Sequence, residues 1–257
     1  MFHNKPIMGI VNVTPDSFSD GGDFYQTEQA VAHARQLIAD GADILDIGGQ
    51  STRPGYQEIP PAEEAKRVIP VIEGIRRFAT VPISVDTYFP EVARQALAAG
   101  ADIINDIKGL DQPGMIDVIA DYQCPVIIMH SRQRDKSLSV AEDIQRFYEE
   151  KMTLAAAHGI KKEHICFDPG IGFHKAPEEN VEILAHPEAF RYRDLPLLYG
   201  FSRKRTIARL TGNDAPKERD AGTLAASLFV KHKGVDIVRV HNVKATKEAF
   251  AVWQALD

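Results

Sequence analysis

Four residues whose types suit one kind of ligand each end a short apolar run: Asp86 in ISVD, Asn105 in IIND, Asp168 in CFDPG and Lys204 in GFSRK. Two carboxylates, an amide and an ammonium suit a flat heterocycle with adjacent N–H donors and carbonyl or imine acceptors, because a carboxylate accepts two parallel N–H bonds. A second set reads as an anion site. Arg239 and His241 are alternate residues of one run, RVH, so their side chains project to the same face. Asn12 closes the first apolar run, IMGIVN, which would lie beside them, and phosphate or a polyphosphate is the natural partner. SRK, from Ser202 to Lys204, opens a helical stretch whose N-terminal N–H groups favour an anion. A merely basic helix start would oppose the helix dipole.

Two long polar stretches, NVTPDSFSDGG (Asn12 to Gly22) and GGQSTRPGYQEIP (Gly48 to Pro60), carry side chains with no solvent-side purpose, Phe18, Thr52 and Arg53 among them. Their glycines and prolines set turns. Long loops beside a reactive site are commonly lids, and these read as segments that bring donors to a charged group and exclude water.

The elements that must hold these residues follow from a repeat. GADILD (Gly41 to Asp46), GADIIN (Gly100 to Asn105) and GVDIVR (Gly234 to Arg239) are three copies of one pattern. Each follows an amphipathic helical stretch, its Gly fits the left-handed position that ends that helix, and its β-branched run is too apolar to face water on either side. Counting the same unit gives eight strands, PIMGIV, DILDI, PISVD, DIIND, PVIIMH, HICFD, PLLYG and DIVRVH. Helices are expected over Thr27–Asp40, Pro61–Phe78, Pro90–Ala99, Pro113–Asp121, Val140–His158, Glu178–Ala185, Ser202–Lys233 with a break near Gly212, and Val243–Leu256. Eight βα units in 257 residues predict an α/β fold, one (β/α)8 TIM barrel domain over residues 1–257, with its active site at the C-terminal ends of the strands. No GxGxxG turn follows a strand, which argues against an open dinucleotide-binding sheet. The strand ends carry, in order, Asn12, Asp46, Asp86, Asn105 with Asp106, His130, Asp168, the GFSRK turn, and Arg239 with His241. Helix capping accounts for one such residue, not for a complete ring.

Composition narrows the partners. A formal net charge of -6 disfavours non-specific nucleic-acid binding, and no apolar run is long enough to span a membrane. Cys124 and Cys166 stand alone and border apolar runs, as reduced core thiols of a cytoplasmic protein do. No HExxH or Cys/His cluster points to zinc. The run RQRDK (Arg132 to Lys136) reads as a solvated loop, and Lys175 as an ordinary loop residue.

MGIVNVTPDSFSDGG, DIGGQSTRPG, SVDT, INDI, DPGIGF, GFSRK and RVH occur in this order across nearly the whole chain, and together they resemble the dihydropteroate synthase family of bacterial folate biosynthesis. The resemblance implies a (β/α)8 barrel that joins 6-hydroxymethyl-7,8-dihydropterin pyrophosphate to p-aminobenzoate and releases pyrophosphate, a reaction with which sulfonamides compete. By the same resemblance Asp86, Asn105, Asp168 and Lys204 hold the pterin, and Asn12, Arg239 and His241 bind pyrophosphate, with Asn12 also near Mg2+. Phe18, Asp20, Thr52, Arg53, Pro54 and Ser202 would form the p-aminobenzoate side, and the family is commonly a homodimer. Positive charge would spread into the pterin as pyrophosphate leaves, which favours a dissociative substitution with Asp86 and Asp168 stabilising the cation and Arg239 and His241 the anion.

Three positions depart from the family pattern: Gln50 where Glu is usual, MHSRQRD (Met129 to Asp135) in place of MHM-x-G, and Asn242 where Asp is frequent. MHSRQRD is similar to the corresponding stretch of sulfonamide-insensitive plasmid-borne relatives. A pterin-dependent methyltransferase shares the barrel and the pterin set but has no use for the STRPG loop or RVH. A non-catalytic pterin-binding protein would not need both sets and both loops.

Overall fold

The computed structural model of the chain describes Phe2 and residues 6–14, 22–51 and 57–256. Phe18, Asp20, Thr52, Arg53 and Pro54 lie outside the described residues. The eight strands are β1 (Ile7–Asn12), β2 (Ile44–Gly48), β3 (Ile83–Asp86), β4 (Ile103–Asp106), β5 (Val126–Met129), β6 (Ile165–Asp168), β7 (Leu198–Tyr199) and β8 (Ile237–Val240). All neighbours pair in parallel in the order β6-β5-β4-β3-β2-β1-β8-β7. A parallel bridge between Phe167 and Leu197, with Phe167 N–H donating to the Pro196 carbonyl at 3.0 Å, joins the two ends. The sheet is thus a (β/α)8 barrel.

Helices separate the strands: α1 (Gly22–Ala39), α2 (Pro61–Arg76), α3 (Pro90–Ala98), α4 (Met115–Tyr122), α5 (Val140–Ala157), α6 (Pro177–Ala185), α7 (Arg205–Thr211), α8 (Asp220–His232) and α9 (Val243–Leu256). Their starts are written locally. Pro61, Pro90 and Pro177 occupy first-turn positions, where a missing N–H costs nothing. Ser139 and Glu142 form a reciprocal capping box on α5. The expected long helix after Ser202 divides into α7 and α8 because Gly212 takes a left-handed φ of 70° that closes α7.

Period-two alternation sorts each strand. Leu45, Ile47, Val85, Ile104, Val126, Ile128, Phe167 and Val238 face the helices, in the larger apolar cluster. Met8, Ile44, Ile103, Ile127, Cys166, Leu198 and Ile237 face inward and pack as one separate layer with Phe2, which fills the barrel at its N-terminal end.

The glycine–aspartate repeat fastens that same end. Gly41, Gly100 and Gly234 have φ of 97°, 109° and 92°, so each ends its helix in the left-handed region. The Asp two residues on then grips the start of the preceding barrel strand. Asp43 Oδ2 accepts Ile7 N–H at 3.1 Å, Asp102 Oδ2 accepts Ile83 N–H at 2.8 Å, and Asp236 Oδ2 accepts Leu197 N–H at 2.8 Å. Each Asp also donates its own N–H to the carbonyl of that same residue. Arg76 and Arg191 neutralise Asp102 and Asp236 and donate to nearby carbonyls, Gly100 and Val81 in one case, Leu195 and Gly234 in the other.

This end carries stability and not chemistry, so Asp102→Ala should cost about 2 kcal/mol, the scale of hydrogen bonds to a charged group. Urea unfolding measures the loss, and turnover per folded molecule should stay unchanged; an unaltered urea midpoint would show the clamp to be idle.

Candidate active site

The same alternation carries the polar residues to the other end of the barrel. Inward positions above the apolar layer are Asp46 and Gly48 on β2, Ser84 and Asp86 on β3, Asn105 on β4, Asp168 on β6, Gly200 after β7, and Arg239 on β8. Asn12 closes β1 beside them. Gly48 and Gly200 leave the centre open. A Cβ at residue 48 would stand 3.7 Å from Asp86 Cβ and 3.9 Å from Asn12 Oδ1, and one at residue 200 would stand 3.7 Å from Asp168 Oδ2.

Arg239 organises this mouth. Its Nε donates to Asp46 Oδ2 at 2.5 Å and its Nη2 to Asp86 Oδ2 at 2.9 Å. Asp46 is fully buried, and its Oδ2 also accepts the Asn105 amide at 3.2 Å. The sequence places Arg239 in a separate anion set; in the structure its guanidinium also bonds two carboxylates, one of them in the first set, and so links the two sets. Burial pushes the Asp86 carboxyl up, and Arg239, then Lys204, pull it back. Asp168 is likewise pushed up by burial and pulled back by Lys204 and by the Gly170 N–H, which donates to its Oδ1 at 2.7 Å. Burial lowers Lys204 to about 8, with Asp168 acting against that shift. Burial also works against the charge on Arg239, but Asp46 and Asp86 more than offset it. The carboxylates and cations thus each favour the charged form of the others against burial.

Lys204 stands just before α7 and donates to the Ile171 carbonyl at 2.8 Å, its ammonium 4.7 Å from the centre of the Phe173 ring. Ser202 Oγ lies 2.9 Å from His241 Nδ1 and accepts the His241 N–H at 3.3 Å, which ties the end of β8 to the turn before α7. That turn is strained, with Arg203 at φ 60°, and α8 holds it: Asp220 pairs with Arg203 through two bonds of 2.7 and 2.8 Å, and Arg219 donates to the Arg203 carbonyl.

The structure thus brings Asn12, Asp86, Asn105, Asp168, Lys204, Ser202, Arg239 and His241 to one mouth. Asp46 joins them as a residue the sequence offers only as a strand end; its signal was its inward place in the DILDIGG alternation. Two members of the expected ring drop out. Asp106 faces the helices and accepts the N–H groups of Lys108 and Leu110, both at 2.8 Å, so it closes a turn. His130 also faces outward, stacked edge-on against Phe147 with Nε2 3.5 Å from Asp143, and burial drives its pKa down to about 3. The run RQRDK is a loop in which Gln133, Asp135 and Lys136 are exposed, while its two arginines are held by ion pairs, Arg132 with Asp111 and Glu150, and Arg134 with Glu179 and Asp143.

The base of the second loop is anchored beside the mouth. Gln50 accepts Ile59 N–H at 2.7 Å and donates to Tyr88 Oη at 2.9 Å, and Tyr88 donates to Glu58 at 2.5 Å. Below it, Gly49 packs on Glu64 of α2, so closely that a Cβ would stand 3.0 Å from Glu64 Cγ.

The model of the pterin binding enzyme family matches residues 8–241. The dihydropteroate synthase of Streptococcus pyogenes serotype M3 is 45% identical over 255 residues, 98% of this chain and 96% of that one. The dihydropteroate synthase of Escherichia coli K12 is 44% identical over 256 residues, 97% of this chain and 90% of that one. Among solved structures, a Xanthomonas albilineans dihydropteroate synthase with 4-aminobenzoic acid has a TM-score of 0.93 at 48% identity, covering 98% of this chain and 93% of that one. A Clostridium difficile dihydropteroate synthase solved in the presence of pteroic acid has a TM-score of 0.94 at 41% identity, covering 99% and 98%.

Glu64 gives the site's surroundings a measurable pH signature. Burial pushes its carboxyl up to about 8, the Thr87 hydroxyl acting in the opposite direction. Its folded pKa lies above the unfolded value, so the folded state keeps a proton that the unfolded chain releases. The stabilisation is complete below the unfolded value and is lost as pH rises through about 8. Glu64→Gln imitates the protonated form, so wild type should lose stability relative to this variant by up to about 1.4 kcal/mol per pH unit across that window. Melting curves at a series of pH values measure it, and parallel curves for the two proteins would contradict a protonated Glu64.

Proposed function

The chain belongs to the pterin-binding enzyme family, and on that premise we infer that it is a dihydropteroate synthase, joining 6-hydroxymethyl-7,8-dihydropterin pyrophosphate to p-aminobenzoate with release of pyrophosphate. One observation carries the reading beyond family likeness: carboxylates, an amide and cations converge at the C-terminal mouth of the barrel above an apolar floor. Asp86 and Asp168 would accept the ring's N–H groups, Asn105 would accept an N–H or donate to its carbonyl, and Lys204 would donate to a ring acceptor.

As the methylene–oxygen bond breaks, positive charge spreads into the electron-rich pterin and negative charge collects on pyrophosphate. Asp86 and Asp168, whose neighbouring cations favour the carboxylate form against burial, would face the first, and Arg239 with His241 the second. Arg239 Nη1 has no carboxylate partner among the described residues, which leaves it for the anion. An arylamine is a weak nucleophile, so a positioned electrophile in a dry pocket matters more than a strong base. The Ser202 turn would meet the p-aminobenzoate carboxylate, together with the loop residues Phe18, Asp20, Thr52, Arg53 and Pro54. The rate-determining event is then ionisation of the pterin, a dissociative substitution.

Mg2+ suits the donor set. This ion takes few protein oxygens and fills its shell with water and substrate phosphate. Asn12 offers one oxygen at the edge of the mouth, and no group of three His, Cys, Asp or Glu among the described residues would form a self-sufficient metal cage. Asn12 would therefore hold the ion jointly with the pyrophosphate; when bound, Mg2+ neutralises charge on that leaving group.

A cytoplasmic location is part of the same reading: no helix among the described residues is long and apolar enough to cross a membrane, and Cys124 and Cys166 are buried free thiols. A homodimer is another part. Leu210, Phe229, Val252 and Trp253 expose 56, 44, 60 and 40% of their surface on α7, α8 and α9. Two copies joined there would cover them without touching the mouth. Light scattering at assay concentration should give twice the monomer mass, and a monomer would overturn that arrangement.

Pyrophosphate release tests the function directly. It should require both p-aminobenzoate and Mg2+, and Asp86→Asn should lower kcat by about a hundredfold or more, the scale of one lost transition-state contact, without a matching loss of melting temperature. Release that ignores p-aminobenzoate, or a variant at near wild-type rate, would refute the assignment.

A further inference from the structure

Lys175, in the loop between β6 and α6, makes contacts that no solvated lysine makes. Its Nζ lies 3.0 Å from His130 Nδ1, 3.0 Å from the His130 carbonyl, 3.1 Å from the Gly170 carbonyl and 3.1 Å from the Phe173 carbonyl. All four partners are acceptors, which suits an ammonium with three protons and no lone pair. His130 accepts at Nδ1, so its proton sits on Nε2 and points toward Asp143, 3.5 Å away. Asp143 and Glu179 in turn face Arg134.

These contacts weld the loop after β6 to the end of β5. Gly170, at φ 71°, packs so tightly there that a Cβ would stand 2.0 Å from the His130 carbonyl oxygen. The same residue's N–H fixes Asp168 Oδ1. Lys204 takes the Ile171 carbonyl from the mouth side, while Lys175 takes the Gly170 and Phe173 carbonyls from behind. Asn180 closes the loop, accepting Gly172 N–H at 2.6 Å and donating to the Lys175 and Ala176 carbonyls.

We propose that Lys175 is a positioning residue of the pterin site: it holds the loop that orients Asp168 and Lys204, and it places a second positive charge behind Asp168. The proposal rests on the reading of this mouth as a pterin site. The ionisable groups facing Asp168 are Lys204, Lys175 and Arg239, with Tyr148, Tyr199 and Cys166 packed behind it. Those facing Lys175 are Asp168, Lys204, Asp143, Glu179 and His130. Burial lowers Lys175 to about 7, and Asp168 opposes that shift. Each of the two groups therefore favours the charged form of the other against burial.

Lys175→Met, Lys175→Gln and Lys175→Arg test this. Calorimetric titration with 6-hydroxymethyl-7,8-dihydropterin reads the site without turnover, so it remains informative even if the synthase assignment fails. Lys175→Met should weaken pterin binding about tenfold, the scale of a lost charge-assisted bond. It should raise KM for the pterin substrate in step while leaving KM for p-aminobenzoate within about twofold. Loss of a cation raises the pKa of Asp168, so the acidic limb of pterin binding should move to higher pH by about one unit. Lys175→Gln keeps N–H donors without charge and should retain the limb shift, whereas Lys175→Arg should restore the limb. A Lys175→Gln protein with a lowered melting temperature but unchanged pterin affinity and unchanged limb would overturn the proposal and leave Lys175 a purely structural strut. If Lys175→Met does not fold, the Gln and Arg variants decide the matter alone.

Discussion

Everything at the mouth of this barrel depends on one half-buried guanidinium. Asp46, Asp86 and Asp168 project into the same small space, and carboxylates that close cannot stay charged together without counter-charge. Arg239 supplies it to the first two by direct bonds, and Lys204 and Lys175 supply it to the third from its two sides. Removing the guanidinium would leave Asp46 and Asp86 without their bonded counter-charge, at a cost of about 3 to 5 kcal/mol. The arrangement is costly for stability, and it fixes the dipoles before any ligand arrives, which is how a site stabilises charge without reorganising.

The two ends of the barrel solve opposite problems. At the N-terminal end, side-chain carboxylates of Asp43, Asp102 and Asp236 bind the backbone and are absorbed by structure. At the C-terminal end the same chemical group is withheld from the backbone and reserved for a ligand. Position along the strand makes the difference. An Asp before the first strand residue meets the free N–H of its neighbour, while one three residues later meets the central space.

Much of this was legible in the sequence. Buried strands between amphipathic stretches, and three glycines that end helices, define the barrel and its order. The strand ends name most of the site. What escaped reading was a matter of parity and reach. Alternation separates Asn105 from Asp106 and turns His130 toward α5, yet a list of strand ends places all of them in one ring. Arg239 has a stem long enough to cross from β8 to β2 and β3, which residue type alone does not reveal. The departures from family pattern make sense only with partners in view. Gln50 must both accept from Ile59 and donate toward Tyr88, which leaves the tyrosine proton for Glu58. Asn242 caps α9 through the Ala245 N–H while donating to Asp220. At Asn242 an amide sits where a carboxylate would face Asp220, and at Gln50 it supplies a donor that a carboxylate lacks.

Gly48 and Gly200 are absences with a function of their own. Neither has the left-handed backbone that demands glycine, and a methyl at either would touch its neighbours at no less than 3.7 Å, ordinary contact. The fold would accept alanine at both. What a methyl would fill is the slot reserved for a planar guest, walled by Asp86 and Asn12 on one side and by Asp168 and Arg239 on the other. The empty protein would be indifferent to such a change, and only the occupied one would register it. These two glycines therefore serve the space for the guest and not the fold.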